Sequence, residues 1–185
     1  MTIGIVTGRN GAGLAALLRR LYASGGKEVR VVVLDTNGVQ NLREPDDIQA
    51  RTYFDLLVID TDGWPLPGAV DGRMVMVSAD EKELCRKLCG VAGVRTVVSY
   101  GLNGKACITA SSVDEDRLLI CLQRAFPDIT GSVVERREFA VRREGLGSGM
   151  MMAAVAAALC GGLSPEMIAA FFTGGEKGIT RKACE

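Results

Sequence analysis

The sequence predicts an α/β protein with a mainly parallel sheet, helices on both faces and a small antiparallel extension. Continuous apolar runs at 3–7, 29–34 and 54–59 alternate with helical patterns, which is typical of β-α-β units. Runs without polar alternation suit strands that are covered on both faces, as in parallel sheets. The segments 106–110 and 133–141 are more polar and partly alternating, so we expect them to pair with each other or to form a small antiparallel extension.

The first β-α-β unit leads into the rest of the parallel sheet. Strand 3–7 ends in a glycine-rich turn, and a helix follows whose leucines recur at helical spacing: Leu14, Leu17, Leu18 and Leu21. Gly25 and Gly26 end this helix before strand 29–34. Further strands are predicted near 54–60, 74–77 and 95–99.

Two Ser-x-x-Glu pairs have the spacing of a capping box and predict helix starts. Ser78 with Glu81 predicts a helix in the segment that follows them. Ser112 with Glu115 predicts a second helix, which Pro127 would end.

The last third of the chain predicts two consecutive helices. The alanine-rich segment 150–159 carries almost no polar side chain and is expected to be a buried helix. Ser164 and Pro165 then provide an N-cap and a first-turn proline for the final helix. We expect one domain over residues 1–175 and a frayed tail over 176–185.

The composition excludes several classes of function. Lys and Arg total 22, as do Asp and Glu, which argues against nucleic acid or an anionic membrane as a partner. The chain contains no histidine, which removes His-based acid-base catalysis and His-ligated metals. Its six cysteines lie mostly in apolar surroundings, and we expect them to be reduced, buried and cytoplasmic. The start of the chain enters a strand at once, which predicts no targeting peptide.

The glycine-rich turn is the candidate phosphate- or nucleotide-binding site. A strand, a glycine turn and a helix in that order direct backbone N–H groups at an anion. The candidate residues are Gly8, Arg9, Asn10, Gly11, Ala12 and Gly13. In the complete GxxxxGK[ST] motif, Ala12 would be the lysine and Gly13 the metal-binding hydroxyl. The turn is therefore either a bare strand-to-helix connection or a weak site for ATP, phosphate or sulfate, with no cofactor required.

Acidic residues at strand ends raise two further possibilities. Asp60 and Asp62 end a buried strand, where a Mg²⁺-binding acid lies in nucleotide hydrolases, although a solvated acid at a strand edge is favoured because the glycine turn lacks the partner for a metal. Asp35 closes the second strand about twenty residues after the glycine turn, where a ribose-binding acid of an NAD(P)-binding Rossmann fold would lie. The glycine spacing is not GxGxxG, which weighs against a dinucleotide.

Two stretches resemble the Mur ligases, which use ATP to add amino acids to peptidoglycan precursors, and their folate-glutamating relatives. Residues 5–13, IVTGRNGAG, are similar to the family's ITGTNGKTT phosphate loop. Residues 97–103 resemble the strand and turn after its nucleotide-linked acid, and residues 145–158 with 162–168 resemble its GxHNxxNxxAAxAAA…GIxxExI helix pair. This likeness implies the central-domain fold of those enzymes, which is P-loop NTPase-like.

The departures from the family fall at positions that carry chemistry. The family's lysine and threonine are Ala12 and Gly13, its His-Asn pair is Gly147 and Ser148, and its second asparagine is Met151. The predicted helix across 114–126 also lies where those enzymes have more strand. The fold is therefore expected to carry over, and the ligase activity is not.

The middle of the chain resembles a second group, the partition and division-site P-loop ATPases. Residues 32–42, VVLDTNGVQNL, are similar to their VLLIDxDPQGNL, and residues 54–61, FDLLVIDT, to their YDYIIIDT. Both likenesses imply a parallel nucleotide-binding type of sheet.

Three classes of function remain open from the sequence. The first is a non-catalytic Mur-ligase-like binding or regulatory module, acting in the cytoplasm with a protein partner or as a homo-oligomer and linked to cell-wall precursors. The second is an unorthodox ATP-dependent carboxylate-amine ligase or ATPase whose lysine comes from elsewhere, for example Lys105. The third is a structural or interaction protein whose glycine turn holds an anion but no nucleotide.

Overall fold

A computed structural model describes residues 1–7, 11–35, 52–60, 70–81, 96–143, 145–174 and 180–182. Its strands are β1 (Thr2–Thr7), β2 (Arg30–Asp35), β3 (Thr52–Asp60), β4 (Val70–Ser78), β5 (Thr96–Tyr100), β6 (Ile108–Val113), β7 (Arg117–Leu122), β8 (Phe126–Pro127), β9 (Val133–Val134), β10 (Arg137–Arg142) and β11 (Thr180–Lys182). Its helices are α1 (Gly11–Ser24), α2 (Ser148–Cys160) and α3 (Pro165–Thr173).

The described strands form a nine-stranded sheet and a separate two-stranded ribbon of β8 and β9. The order in the large sheet is β2-β1-β3-β4-β5-β6-β7-β10-β11. Every pairing from β2 to β6 is parallel, which confirms the mainly parallel α/β fold and all five predicted parallel strands. The apolar runs of β1, β3 and β4 have no polar alternation because both faces of these strands contribute buried side chains.

The predicted antiparallel extension is present, but a strand that the sequence did not predict lies inside it. Strands β6 and β10 do not pair with each other, since β7 lies between them and pairs antiparallel with both. The helix predicted after Ser112 and Glu115 is therefore wrong. Leu118 and Leu122 are four residues apart, which places them on one face of a helix and equally on one face of a strand.

The buried positions of β7 identify it as a strand. Leu118, Ile120 and Leu122 are buried, whereas Leu119 and Cys121 between them are only partly buried. This period of two is the pattern of a strand in a sheet. The antiparallel pairing with β6 provides hydrogen-bond partners for the backbone N–H and C=O groups of β7. Part of the expected frayed tail is also a strand, because residues 180–182 pair with β10 as β11.

All three described helices lie on one face of the sheet and share one hydrophobic core with it. Residues 151–160 of α2 are all buried, which confirms the buried alanine-rich helix. Its small side chains allow α1 to pack closely against it. The opposite face has its own buried cluster, including Val6, Phe54 and Leu57. The helix predicted after Ser78 and Glu81 lies outside the described residues.

The ends of the described helices follow the predicted signals. Helix α1 stops at Ser24, directly before Gly25 and Gly26. The Ser164 side chain accepts a hydrogen bond of 3.2 Å from the backbone N–H of Met167, and Pro165 occupies the first turn of α3. No helix in the described ranges is long and apolar enough to cross a membrane.

Candidate anion-binding cleft

The order of the strands creates a crevice at the end of β1. From β1 the chain passes to β2 on one side, while β3 pairs with the other side. In open α/β sheets, ligands bind at such a reversal, beyond the carboxyl ends of the strands. Strand β1 ends at Thr7 and α1 begins at Gly11, so the candidate glycine turn lies at this point.

A cleft of about 340 Å³ opens at this edge of the sheet. Thr7, Ser78 and Tyr100 contribute the carboxyl ends of β1, β4 and β5 to its lining. The other lining residues come from α1, from the turn after β5 and from α2; they are Gly11, Leu14, Asp80, Gly101, Leu102, Ser148, Gly149, Met150, Met152 and Ala153. The cleft therefore combines strand ends with the beginnings of two helices.

The two helices present their N-terminal ends to the cleft. Gly11 is the first residue of α1, and Ser148 is the first residue of α2. The first-turn N–H groups of a helix have no intrahelical acceptor, and the helix dipole adds partial positive charge there. Gly147 at the N-cap of α2 supplies no side-chain cap for these groups. The geometry suits an anion held by backbone groups.

Gly11 is required by the packing of α1 against the sheet. A Cβ at this position would overlap Thr7 Cγ2 and lie 2.7 Å from Val33 Cγ1. The helix can therefore begin directly beside β1 and β2 only with glycine at its first position. This glycine has a structural role whether or not a ligand binds. Ala12 and Gly13 follow it and are exposed.

Asp80 is a residue of the cleft that the sequence patterns did not single out. One carboxylate oxygen accepts a hydrogen bond of 3.0 Å from the N–H of Leu102, and the other accepts one of 2.9 Å from Asn103. Gly101, with φ of 142°, lies against the same carboxylate. Asp80 thus fixes the turn after β5 that forms one wall of the cleft. The available signal was an acid just beyond a buried strand, as at Asp35 and Asp60.

The structure brings part of the predicted site together. Thr7 is paired with Asp35 of β2 and with Asp60 of β3, so the backbones of these two acids lie level with the end of β1. Gly11, Ala12 and Gly13 form the first turn of α1. The remaining candidates, Gly8, Arg9, Asn10 and Asp62, lie outside the described residues. The metal and ribose hypotheses for Asp60, Asp62 and Asp35 remain predictions.

The described part of the cleft lining contains one charged residue, Asp80. Its carboxylate oxygens accept hydrogen bonds from the two N–H groups of the turn after β5. Lys105, the alternative source of a lysine, belongs to the same turn but does not line the cleft. Within the described ranges, no group of three or more Cys, Asp or Glu side chains is arranged to hold a metal ion.

Three cysteines, Cys107, Cys121 and Cys160, lie in the described residues and differ in burial. Cys160 is fully buried at the end of α2, and burial raises the pKa of its thiol well above the ordinary range. Cys107 and Cys121 are only partly buried. The expectation of burial is confirmed for Cys160 alone, and the reduced state of the cysteines remains a prediction.

No protein-family model matches the chain, and no curated protein matches it. Among solved structures, the chain is similar to a protein from Burkholderia thailandensis that is described as a pilus assembly protein (cpaE). That similarity has 22% sequence identity, covers 54% of this chain and 84% of the other, and has a TM-score of 0.29. Function has to be argued from the residues of the cleft.

Proposed function

We propose that this protein is a non-catalytic, Mur-ligase-like module that holds a phosphate-type anion in the cleft between α1 and α2. Its role is binding or regulation, linked to cell-wall precursor metabolism. The observation that carries the proposal is the meeting of two helix N-termini at the carboxyl edge of a parallel sheet, with Ala12 and Gly13 in place of the catalytic side chains.

The order of elements in the last half of the chain supports the Mur-like assignment. Strand β7 occupies the segment where the sequence predicted a helix and where those ligases have more strand. The antiparallel strands β6, β7 and β10 then precede the alanine-rich helix α2 and its partner α3. This removes one of the departures that the sequence indicated and leaves those at the chemical positions.

The chemical argument against catalysis rests on the first turn of α1. In phosphoryl transfer, a lysine neutralises the phosphates and a hydroxyl holds Mg²⁺. Ala12 and Gly13 supply neither group. Losing one electrostatic stabiliser of a transition state commonly costs on the order of a hundred- to a thousand-fold in rate. With no histidine in the chain to compensate, ATP hydrolysis by the isolated protein should be negligible.

Anion binding survives these replacements because it uses backbone groups. The N–H groups at the start of α1 and α2 are present whatever the side chains of residues 12 and 13 are. Phosphate or sulfate should therefore bind weakly, and metal-free ATP should bind weakly through its phosphates without being turned over. No bound cofactor is required for folding, since the core is apolar and extensive.

The binding part of the proposal has a matched pair of variants at Gly149. This residue lines the cleft in the first turn of α2, is exposed, and a Cβ there would meet no atom within 4 Å. Gly149→Glu adds a negative charge beside the anion, whereas Gly149→Gln adds nearly the same volume without charge. Calorimetric titration with orthophosphate should show affinity reduced about tenfold in Gly149→Glu relative to Gly149→Gln. Equal affinities would place the anion elsewhere.

The catalytic part is tested by ATP turnover with purified protein. The natural chain should be inactive, and Ala12→Lys plus Gly13→Thr should restore the missing groups for comparison. Mg²⁺-dependent turnover by the natural chain that Asp60→Ala abolishes would overturn the non-catalytic assignment and favour the ligase or ATPase alternative.

A further inference from the structure

Met150 covers the beginning of α1. It lies in the first turn of α2, is partly buried, and lines the cleft together with Gly11. A Cβ built on Gly13 would lie 3.3 Å from Met150 Cε and 3.9 Å from Sδ. The thioether of Met150 therefore occupies the space beside the position where a P-loop carries its metal-binding hydroxyl.

The side chain of Met150 is held in place by apolar neighbours. It packs against the main hydrophobic core, and the neighbouring cleft walls are the buried side chains of Leu14, Met152 and Ala153. Moving the thioether away from Gly13 would take it from this apolar surface toward water. Such exposure is unfavourable by roughly 25 cal/mol per Å² of apolar area.

A thioether at this place is incompatible with a hydrated Mg²⁺ ion. Mg²⁺ requires near-octahedral oxygen ligands and retains several waters, whereas a methionine sulfur donates no hydrogen bond and accepts only weakly. The methyl group also excludes the waters that would complete the coordination shell. A small oxyanion without metal needs only the N–H groups at the helix ends.

We propose that Met150 sets the ligand class of the cleft: it excludes a Mg²⁺-bound nucleotide and leaves room for a metal-free phosphate-type oxyanion. This inference rests on the proposed anion-binding function. It assigns to one side chain of α2 an exclusion that the composition of the glycine turn alone does not provide. Restoring a hydroxyl at position 13 is then insufficient while Met150 is present.

The test uses ADP as the probe, titrated by calorimetry with Mg²⁺ and with EDTA in its place. In Gly13→Thr, Mg²⁺ should not raise ADP affinity, and it should lower the apparent affinity to the extent that it holds ADP in solution as the excluded complex. In Gly13→Thr with Met150→Ala, Mg²⁺ should raise ADP affinity about tenfold, the order expected for a newly admitted charge-neutralising ion near the surface. Met150→Leu in the Gly13→Thr background fills a similar volume and should keep the exclusion.

A remote methionine provides the matched control. Met167 lies on α3 against Gly25, at the opposite end of α1 from Gly11, and is 39% exposed. In the Gly13→Thr background, Met167→Ala should not produce a Mg²⁺-dependent increase in ADP affinity. Thermal unfolding should also show that Gly13→Thr is tolerated better with Met150→Ala than without it, because the close contact at Cε is removed.

The outcomes separate this inference from the proposed function. If Gly13→Thr alone gains Mg²⁺-dependent ADP binding equal to that of the double variant, Met150 is not the exclusion device. If orthophosphate binds every variant but Mg²⁺ never improves ADP binding, the Met150 inference is overturned and anion binding stands. If orthophosphate binds none of them, including the natural protein, the proposed function fails and the inference with it.

Discussion

The phenol of Tyr22 donates a hydrogen bond of 2.8 Å to the backbone oxygen of Ala157 and so joins α1 to α2 inside the core. Both residues are fully buried, and burial raises the pKa of the phenol well above its ordinary range, so the donor stays protonated. Gly161 lies against the same phenol at the end of α2. This contact fixes how the two helices meet, and their first turns form the cleft.

Gly161→Ala should destabilise the protein, because the new Cβ would overlap Tyr22 Oη and lie 2.7 Å from Cζ. Overpacking of this kind costs about 1–3 kcal/mol. In a Tyr22→Phe background the penalty should be smaller, since the hydroxyl is gone while Cζ remains. Denaturant unfolding of the four proteins in this cycle measures the difference, and additive effects would contradict the contact.

Asp80→Ala should loosen the turn after β5, because its carboxylate holds the N–H groups of Leu102 and Asn103. The expected loss of stability is about 1–3 kcal/mol for removing two charge-assisted hydrogen bonds. Amide hydrogen exchange should accelerate at Leu102 and Asn103 and remain unchanged in β1. Glu115→Ala, at an exposed site on the β6–β7 turn, is the control. Unchanged exchange at both turn amides would refute this role.

Glu166→Gln should reduce the pH dependence of stability on the acid side. Burial raises the pKa of this carboxyl, but hydrogen bonds from its own backbone N–H and from Ser164, together with Arg137, lower it to a net value below 4.5. A lowered folded-state pKa adds stability that is fully present above the unfolded value near 4.5 and is lost as pH falls through the folded value.

The contribution of this pair should be only about 0.2–1 kcal/mol, because both side chains are substantially exposed to solvent. Urea unfolding between about pH 3 and 6, the range around the unfolded Glu pKa, measures this contribution. Glu135→Gln, at another exposed glutamate, should leave the acid limb of the curve intact. An identical effect of both substitutions would contradict the assignment to Glu166 and Arg137.

Cys160 should resist thiol alkylation in the folded protein. Burial raises the pKa of its thiol, so little of the reactive thiolate is present at neutral pH. The reagent also cannot reach the buried side chain. Cys107 and Cys121 are partly exposed and should react first. Peptide mapping by mass spectrometry after iodoacetamide treatment, native and in urea, distinguishes them. Native-state modification of Cys160 at the rate of Cys121 would show that α2 opens readily.

The parallel strands and the last two helices were predictable because their signals are local. Each parallel strand is an unbroken apolar run. The start of α3 is marked by two adjacent residues, the N-cap Ser164 and the first-turn Pro165. The replacement of the phosphate-loop side chains by Ala12 and Gly13 could also be recognised from the sequence, since it depends only on residue identity and order.

The identity of β7 and the composition of the cleft depended on tertiary contacts. Leu118 and Leu122 fit a helix and a strand equally, and pairing with β6 and β10 decided between them. Asp80 acts on amides more than twenty positions along the chain, and Met150 reaches Gly13 across 137 positions. Contacts at such sequence separation arise only when packing brings the elements together, so no local pattern in the sequence encodes them.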